Sequence, residues 1–209
     1  MTEIKNIIFD LGGVIINLDY NKTRNAFVAL GLNDFDEIYS QSQQNGFFDT
    51  FDKGQLSPEE FRTEIRRHLN AEKSDSEIDA AWDAMLLNVP QEKLELLQSL
   101  KTKYRTFLLS NTNVIHVKNF SAALQKSYGF SDFSAHFEKC YYSCDIGMRK
   151  PDAEIFQFVL DQNNLNAGET LFIDDSIQHI EGAKQLNIQT LFYKPGESLE
   201  IELKRLGLG

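Results

Sequence analysis

The stretch Asn6-Ile7-Ile8-Phe9-Asp10-Leu11-Gly12-Gly13-Val14-Ile15 decides how this chain is read. Ile7, Ile8 and Phe9 are apolar and favour extended backbone, the composition of a buried strand. The run stops at a carboxylate followed within two residues by paired glycines. Open α/β sheets bind ligands beyond the carboxyl ends of their strands, so Asp10 is aimed at such a crevice. Gly12 and Gly13 reach backbone angles closed to other residues and predict a turn with exposed amides. Taken alone, the stretch reads equally well as a strand capped by an Asp turn.

The rest of the chain repeats the pattern. Thr106–Leu109 is an apolar strand that runs into Ser110-Asn111-Thr112-Asn113, and Leu171–Ile173 is another that runs into Asp174-Asp175-Ser176. Cys140–Ser143 and Thr190–Tyr193 read as shorter strands. Helices fall between them: one opened by Val89-Pro90, one from Val114 to Tyr128 closed by Gly129, one opened by Pro151, and one from Ile177 to Leu186. Residues Leu203–Leu206 read as a frayed helix or a packing arm. Short strands alternating with helices predict an α/β fold, a Rossmann-like parallel sheet with helices on both faces and right-handed crossovers.

Leu18 to Leu87 interrupts this alternation with helices only. A helix from Leu18 to Leu30 is capped by Asp19 or Asn21 and stops at Gly31, and a short one spans Asp34 to Ser40. Gln41 to Lys53 reads as irregular, with Asp49 and Asp52 as turn residues and Phe47, Phe48 and Phe51 anchoring a loop. Ser57-Pro58-Glu59-Glu60 and Ser74–Glu77 are capping boxes. Phe61, Ile65 and Leu69 give the first of these helices its apolar face, and Ile78, Ala81, Trp82 and Met85 the second. The expected division is a core of residues 1–17 and 88–209 and a helical insert of residues 18–87.

Composition narrows the function. The 209 residues are 42% hydrophobic and 25% charged, ordinary for a globular protein, and 31 acidic against 21 basic side chains give a net charge of -10. That sign opposes non-specific binding to nucleic acid or anionic membranes. No apolar run approaches the length of a membrane span, and Met1–Lys5 shows no basic-then-apolar leader, so a cytoplasmic location is expected. Cys140 and Cys144 are then read as reduced, partly buried thiols.

Three strands ending in polar clusters predict a functional rim. Asp10, Asp174 and Asp175 would crowd negative charge that must protonate or meet a cation, and short rigid oxygen ligands suit magnesium. Lys150 and the Ser110 hydroxyl complete an anion-binding arrangement. A phosphate held by the metal, Lys150, Ser110 and the Gly12/Gly13 turn would be placed for in-line attack by Asp10. The remaining candidates keep plainer readings. His116 is a satisfied helix histidine, while His68, His136 and His179 lack ligand spacing. Trp82 and Met85 belong to the core of the insert. Arg149, beside Lys150, orients carboxylates.

These blocks resemble the four motifs of the haloacid dehalogenase superfamily, mostly phosphatases with an aspartate nucleophile. Phe9–Ile15 is similar to the first motif, Leu109–Asn113 to the second, Gly147–Pro151 to the third and Phe172–Ser176 to the fourth. The resemblance implies that residues 18–87 form a helical cap inserted after the first strand. It implies Asp10, Ser110 and Lys150 as catalytic residues and Gly12, Gly13, Ser110, Asn111 and Lys150 as substrate-binding residues. Mg2+ would sit on Asp10, the Gly12 carbonyl and Asp175, with Asp174 joining through a water.

Leu109–His116, Ser143–Pro151 and Ile180–Ile188 resemble most a bacterial sugar-phosphatase group that includes an α-D-glucose-1-phosphate phosphatase. That points to a small phosphate ester, such as a hexose phosphate, as substrate of a monomer or small homo-oligomer. One departure stands out: most phosphatases of the superfamily carry a second aspartate two residues after the nucleophile, and here that residue is Gly12. Water, Glu37, Asp49 or Asp52 is then expected to replace it. The alternatives are a phosphometabolite-binding protein of weak activity and a metal-independent 2-haloacid dehalogenase, whose halide leaves unprotonated.

Overall fold

The computed structural model describes residues 3–39, 46–69 and 71–208. Its strands are β1 (Asn6–Phe9), β2 (Arg105–Ser110), β3 (Lys139–Tyr142), β4 (Thr170–Asp174) and β5 (Gln189–Phe192). They form one parallel sheet in the order β3-β2-β1-β4-β5, with Phe9 paired to Leu108 on one side and Ile173 on the other. Between β1 and β2 lie the helices α1 (Tyr20–Leu30), α2 (Phe35–Ile38), α3 (Phe47–Asp52), α4 (Pro58–His68), α5 (Asp75–Asp83) and α6 (Gln91–Lys101). The later helices are α7 (Val114–Tyr128), α8 (Ser143–Ile146), α9 (Ala153–Asn163), α10 (Ile177–Lys184) and α11 (Leu199–Arg205). Among the described residues no helix is long and apolar enough to cross a membrane.

The period of two along each strand divides the core into two layers. Ile7, Phe9, Leu108, Leu171 and Ile173 face α6, α7 and α11, meeting Leu94, Leu97, Phe120, Leu199 and Leu203. Ile8, Phe107, Leu109 and Phe172 face α9 and α10, meeting Ile155, Phe156, Val159 and Ile180. The last helix is therefore a packing arm. Because both faces are covered, the strands read as continuous apolar runs and their polar groups collect at the carboxyl ends.

Helices α1 to α5 form the cap, with its own aromatic core of Phe27, Phe35, Tyr39, Phe48, Phe51, Phe61 and Trp82. Ile115 of α7 inserts into this cluster from the core below. Both capping boxes are present, on Ser57/Glu60 and Ser74/Glu77. The cap joins the core through two antiparallel segments: Leu87 N–H donates to Asn17 O (2.9 Å) and Asn17 N–H to Asn88 O (3.0 Å).

Several expected boundaries move. Leu18 is not helical but bridges Leu86, so α1 starts at Tyr20 with Asp19 as its cap. The stretch expected to be irregular contains α3, preceded by Gly46, while 41–45 and Ser40 lie outside the described residues. Phe48 and Phe51 share one face at helical spacing, and Phe51 stacks on Phe61 at 4.2 Å, so packing outweighs the local turn signals. Asp49 and Asp52 are accordingly helix residues rather than turn formers.

Candidate active site

The sheet brings the expected residues to one place. Asp10 follows the last paired residue of β1, Ser110 ends β2 and Asp174 ends β4. Lys150, from the loop after α8, is wholly buried and reaches Asp10 Oδ1 at 2.6 Å and Asp174 Oδ2 at 2.7 Å through its Nζ. Its backbone is clamped by the Asn111 amide, which donates to Lys150 O at 2.8 Å and accepts from Lys150 N–H at 2.9 Å. Asn111 thus holds the lysine as well as lining the cavity beside Ser110.

The glycine turn differs from expectation in one respect. Gly13 N–H donates to Ile16 O at 2.8 Å, so only the Gly12 side of the turn borders the cavity. Gly13 serves through conformation and size. Its φ is +75°, and a Cβ there would lie 2.1 Å from Asp175 Oδ2. The turn can pack against Asp175 only with glycine at this position.

Charge is unevenly balanced. Burial pushes Asp10 up, against the pull of Lys150, and Asp174 and Asp175 push it further; burial and Asp174 also raise Asp175. Burial alone would raise Asp174 as well, but Lys150 and His179 outweigh it and hold this carboxyl low. Oxygens of Asp10, Asp174 and Asp175 lie within 4.8 Å of one another. Three carboxylates against one ammonium leave room for a hard cation, and an all-oxygen donor set fits magnesium.

A cavity of about 100 Å³ opens over these groups. Its floor is the strand-end rim; its roof is Leu18, Tyr20, Tyr39, Trp82 and Met85 of the cap. Trp82 and Met85 are cap core and cavity wall at once. His116 is satisfied, as expected: Nε2 lies 3.2 Å from Trp82 O, and the ring stacks on the indole at 4.8 Å. Arg149 pairs with the carboxylate of Asp49, tying α3 to the core.

Two wall residues are better defined in the structure than in the sequence, where His179 lacks ligand spacing and Asp52 is one of several substitutes for the acid missing at Gly12. His179 places Nδ1 3.0 Å from both oxygens of Asp174; its only local signal was a position one turn into the helix after the third polar cluster. Asp52 is buried, accepts from Asn113 Nδ2 at 3.1 Å, and lines the same cavity as Asp10. In the sequence it stands among the expected substitutes for the acid absent at Gly12, with nothing local to set it above Glu37 or Asp49.

Carboxylates gathered at the ends of parallel strands, a buried lysine between them and a helical lid above make a capped, Rossmann-like site suited to a metal ion and an anionic group. The family model for haloacid dehalogenase-like hydrolases matches residues 4–187, and the chain belongs to that family. It is 34% identical over 200 residues to a D-ribitol-5-phosphate phosphatase of Bacteroides thetaiotaomicron, covering 96% of this chain and 97% of the relative. It also superposes on a crystal structure of a family enzyme from the same species, an aspartate-to-alanine mutant in complex with magnesium and inorganic phosphate. That match has a TM-score of 0.90 at 38% identity and covers 96% and 98% of the two chains. A HAD-like family hydrolase from Porphyromonas gingivalis matches with a TM-score of 0.88 at 33% identity, covering 98% of each chain.

Proposed function

We infer that Asp10 attacks the phosphorus of a phosphate monoester while Ser110 and Lys150 hold the phosphoryl oxygens. The protein is a magnesium-dependent phosphatase that works through an aspartyl-phosphate intermediate on a small phosphorylated metabolite. The observation that carries this reading is Lys150, buried between Asp10 and Asp174 with Asp175 at ligand distance. Asp10, the Gly12 carbonyl, Asp174 and Asp175 would hold the metal. Bound there, magnesium supplies charge that offsets the phosphoryl oxygens and fixes their orientation. Asn111 acts by fixing Lys150, and Gly13 by letting the nucleophile turn close on Asp175. His179 orients Asp174 from the far side.

The near-full-length relative is named for a pentitol phosphate rather than for glucose 1-phosphate. The inferred substrate class is therefore a phosphorylated sugar or sugar alcohol, with hexose phosphates such as α-D-glucose 1-phosphate as members of it. The roof supports this, since Leu18, Tyr39, Trp82 and Met85 line it with largely apolar side chains while the floor takes the phosphate. The cap comprises residues 18–87 and the core 1–17 and 88–209, with the Asn17–Asn88 pairing as the joint. Cys140 and Cys144 are free thiols that burial pushes up to about 12, inert packing residues that fit a cytoplasmic protein.

Phosphate release from pentitol, hexose and aryl phosphates, with and without magnesium, tests the reading. Turnover should need the metal and vanish in Asp10→Asn. Saturable binding without product would instead mark a binding protein, and halide release from a 2-haloacid in chelator a dehalogenase.

A further inference from the structure

If Asp10 attacks phosphorus, as inferred above, the ester oxygen of a sugar alcohol leaves with an electron pair and needs a proton as it goes. The residue two after the nucleophile cannot supply it. Gly12 has no side chain, and a Cβ there would lie 2.8 Å from Leu18 Cδ1, so an apolar group stands where an acid would extend.

The titratable groups on the cavity wall narrow the choice. Lys150 is engaged by Asp10 and Asp174. Burial pushes His179 down, and in its neutral form it gives the Nδ1 proton to Asp174, leaving none on Nε2. Burial also pushes His116 down, to about 4, so its Nε2–H stays with the Trp82 carbonyl. Arg149 does not release a proton. A tyrosine phenol can donate but ionises too high to return as a base near neutral pH, and burial pushes Tyr20 higher still. With Asp10 as the nucleophile and Asp175 assigned to the metal, Asp52 is the acidic group of the wall that remains.

Its setting suits the task. Asp52 ends α3 and is 6% exposed. Oδ1 accepts from Asn113 Nδ2 at 3.1 Å, while its backbone oxygen accepts from Ser143 Oγ at 2.5 Å. Both partners belong to the core, so the carboxyl is in place only when the cap is seated. Burial pushes it up to about 6, with the Asn113 amide and Arg149 pulling down and Asp49 pushing up. It can therefore hold a proton near neutral pH and also give it away.

We propose that Asp52 is the general acid and base of the reaction, carried on the cap in place of a group beside the nucleophile. As the Asp10 oxygen bonds to phosphorus and the ester bond breaks, the Asp52 carboxyl passes its proton to the departing oxygen, giving alcohol and aspartyl phosphate. The Asp52 carboxylate then takes a proton from a water whose oxygen attacks phosphorus. The bond to Asp10 breaks, inorganic phosphate leaves, and Asp52 is protonated again.

The test compares the parent enzyme, Asp52→Asn and Asp10→Asn, all with magnesium, on p-nitrophenyl phosphate and on a sugar-alcohol phosphate. Nitrophenolate leaves without a proton; an alkoxide does not. For Asp52→Asn, kcat/KM should fall about 10²–10⁴-fold on the alkyl ester and less than about tenfold on the aryl ester. With its base gone, the variant should release a burst of nitrophenolate matching the enzyme concentration, then stall. The parent's kcat/KM on the alkyl ester should fall as pH rises through the Asp52 ionisation, and that limb should vanish in the variant. The groups shaping it are Asp49 on its own helix, Asn113 and His116 of α7, and Arg149 and Cys144 of the core.

Equal losses on both esters without a burst, or no loss on either, overturn the proposal. Should Asp52→Asn fail to fold, the parent alone decides: kcat/KM should stay nearly level across esters of rising leaving-group pKa, and a steep fall overturns it. Turnover surviving in Asp10→Asn breaks the nucleophile reading itself. An inactive Asp10→Asn beside an Asp52→Asn indifferent to leaving group breaks only the role of Asp52.

Discussion

The floor and the roof of the cavity are built on different physics. On the floor, Asp10, Lys150, Asp174 and His179 are bonded to one another at strand ends, inside a sheet packed on both faces. The roof is a wall of aromatic and apolar side chains belonging to a separate cluster, with Asp52 as its acidic member. The floor offers what any phosphoryl group needs, a fixed cation and a placed nucleophile. The roof excludes water and meets the part of the substrate that varies. Position on the floor is set by backbone hydrogen bonds; position on the roof depends on how the cap seats.

If that contrast is right, breaking the floor should cost more than breaking the roof. Lys150→Ala leaves two buried carboxylates facing each other and should destabilise the fold by about 3–5 kcal/mol, read from urea midpoints, with turnover lost. An unchanged midpoint would show that the floor is not held by its ion pairs. Phe48→Ala opens the aromatic cluster of the cap and should also cost about 3–5 kcal/mol, but locally. Hydrogen exchange should quicken in α3 to α5 while β1, β2 and β4 stay protected; equal loss of protection throughout would mean that the two regions unfold as one.

Gly13→Ala acts at a single point of the floor. The left-handed φ costs an alanine roughly 1–2 kcal/mol, and its methyl group displaces Asp175. Magnesium affinity by calorimetry should fall about 10–100-fold, and an unchanged affinity would remove Asp175 from the metal site. The smallest effect is expected where the end of α5 meets α7. Asp83 accepts from Asn119 at 2.9 Å, while burial pushes its carboxyl up to about 7. Between the ordinary value of 3.8 and about 7 the folded protein binds the proton more tightly than the unfolded chain. Stability is therefore lost as pH rises through that window. Asp83→Asn should raise Tm by about 2–4 °C at pH 8 and leave it unchanged at pH 4, where the parent carboxyl is already protonated.

The same division governs what was legible in the sequence. Ile7–Phe9, Thr106–Leu109 and Leu171–Ile173 announce buried strands because both sheet faces are covered, and each is followed at once by its polar residues. Asp10, Ser110 and Asp174 could therefore be placed on one rim from local pattern alone. Lys150 needed the whole constellation, because a single lysine carries no sign that it will be buried. The cap yielded its capping boxes, which are local, but not α3, whose helix depends on Phe51 stacking against Phe61. His179 was hidden, and Asp52 could not be told from Glu37 or Asp49, for the same reason. Their roles arise from partners 61 residues away in one case and from a turn of helix folding back on Asp174 in the other.

The most direct measurement is to quench a single turnover in acid, with labelled phosphate ester and magnesium, and locate the label by peptide mass spectrometry. The account predicts label on Asp10, in amounts approaching one per protein when hydrolysis is slowed, and none in Asp10→Asn. Label on another side chain, or phosphate release with Asp10 never modified, would contradict it.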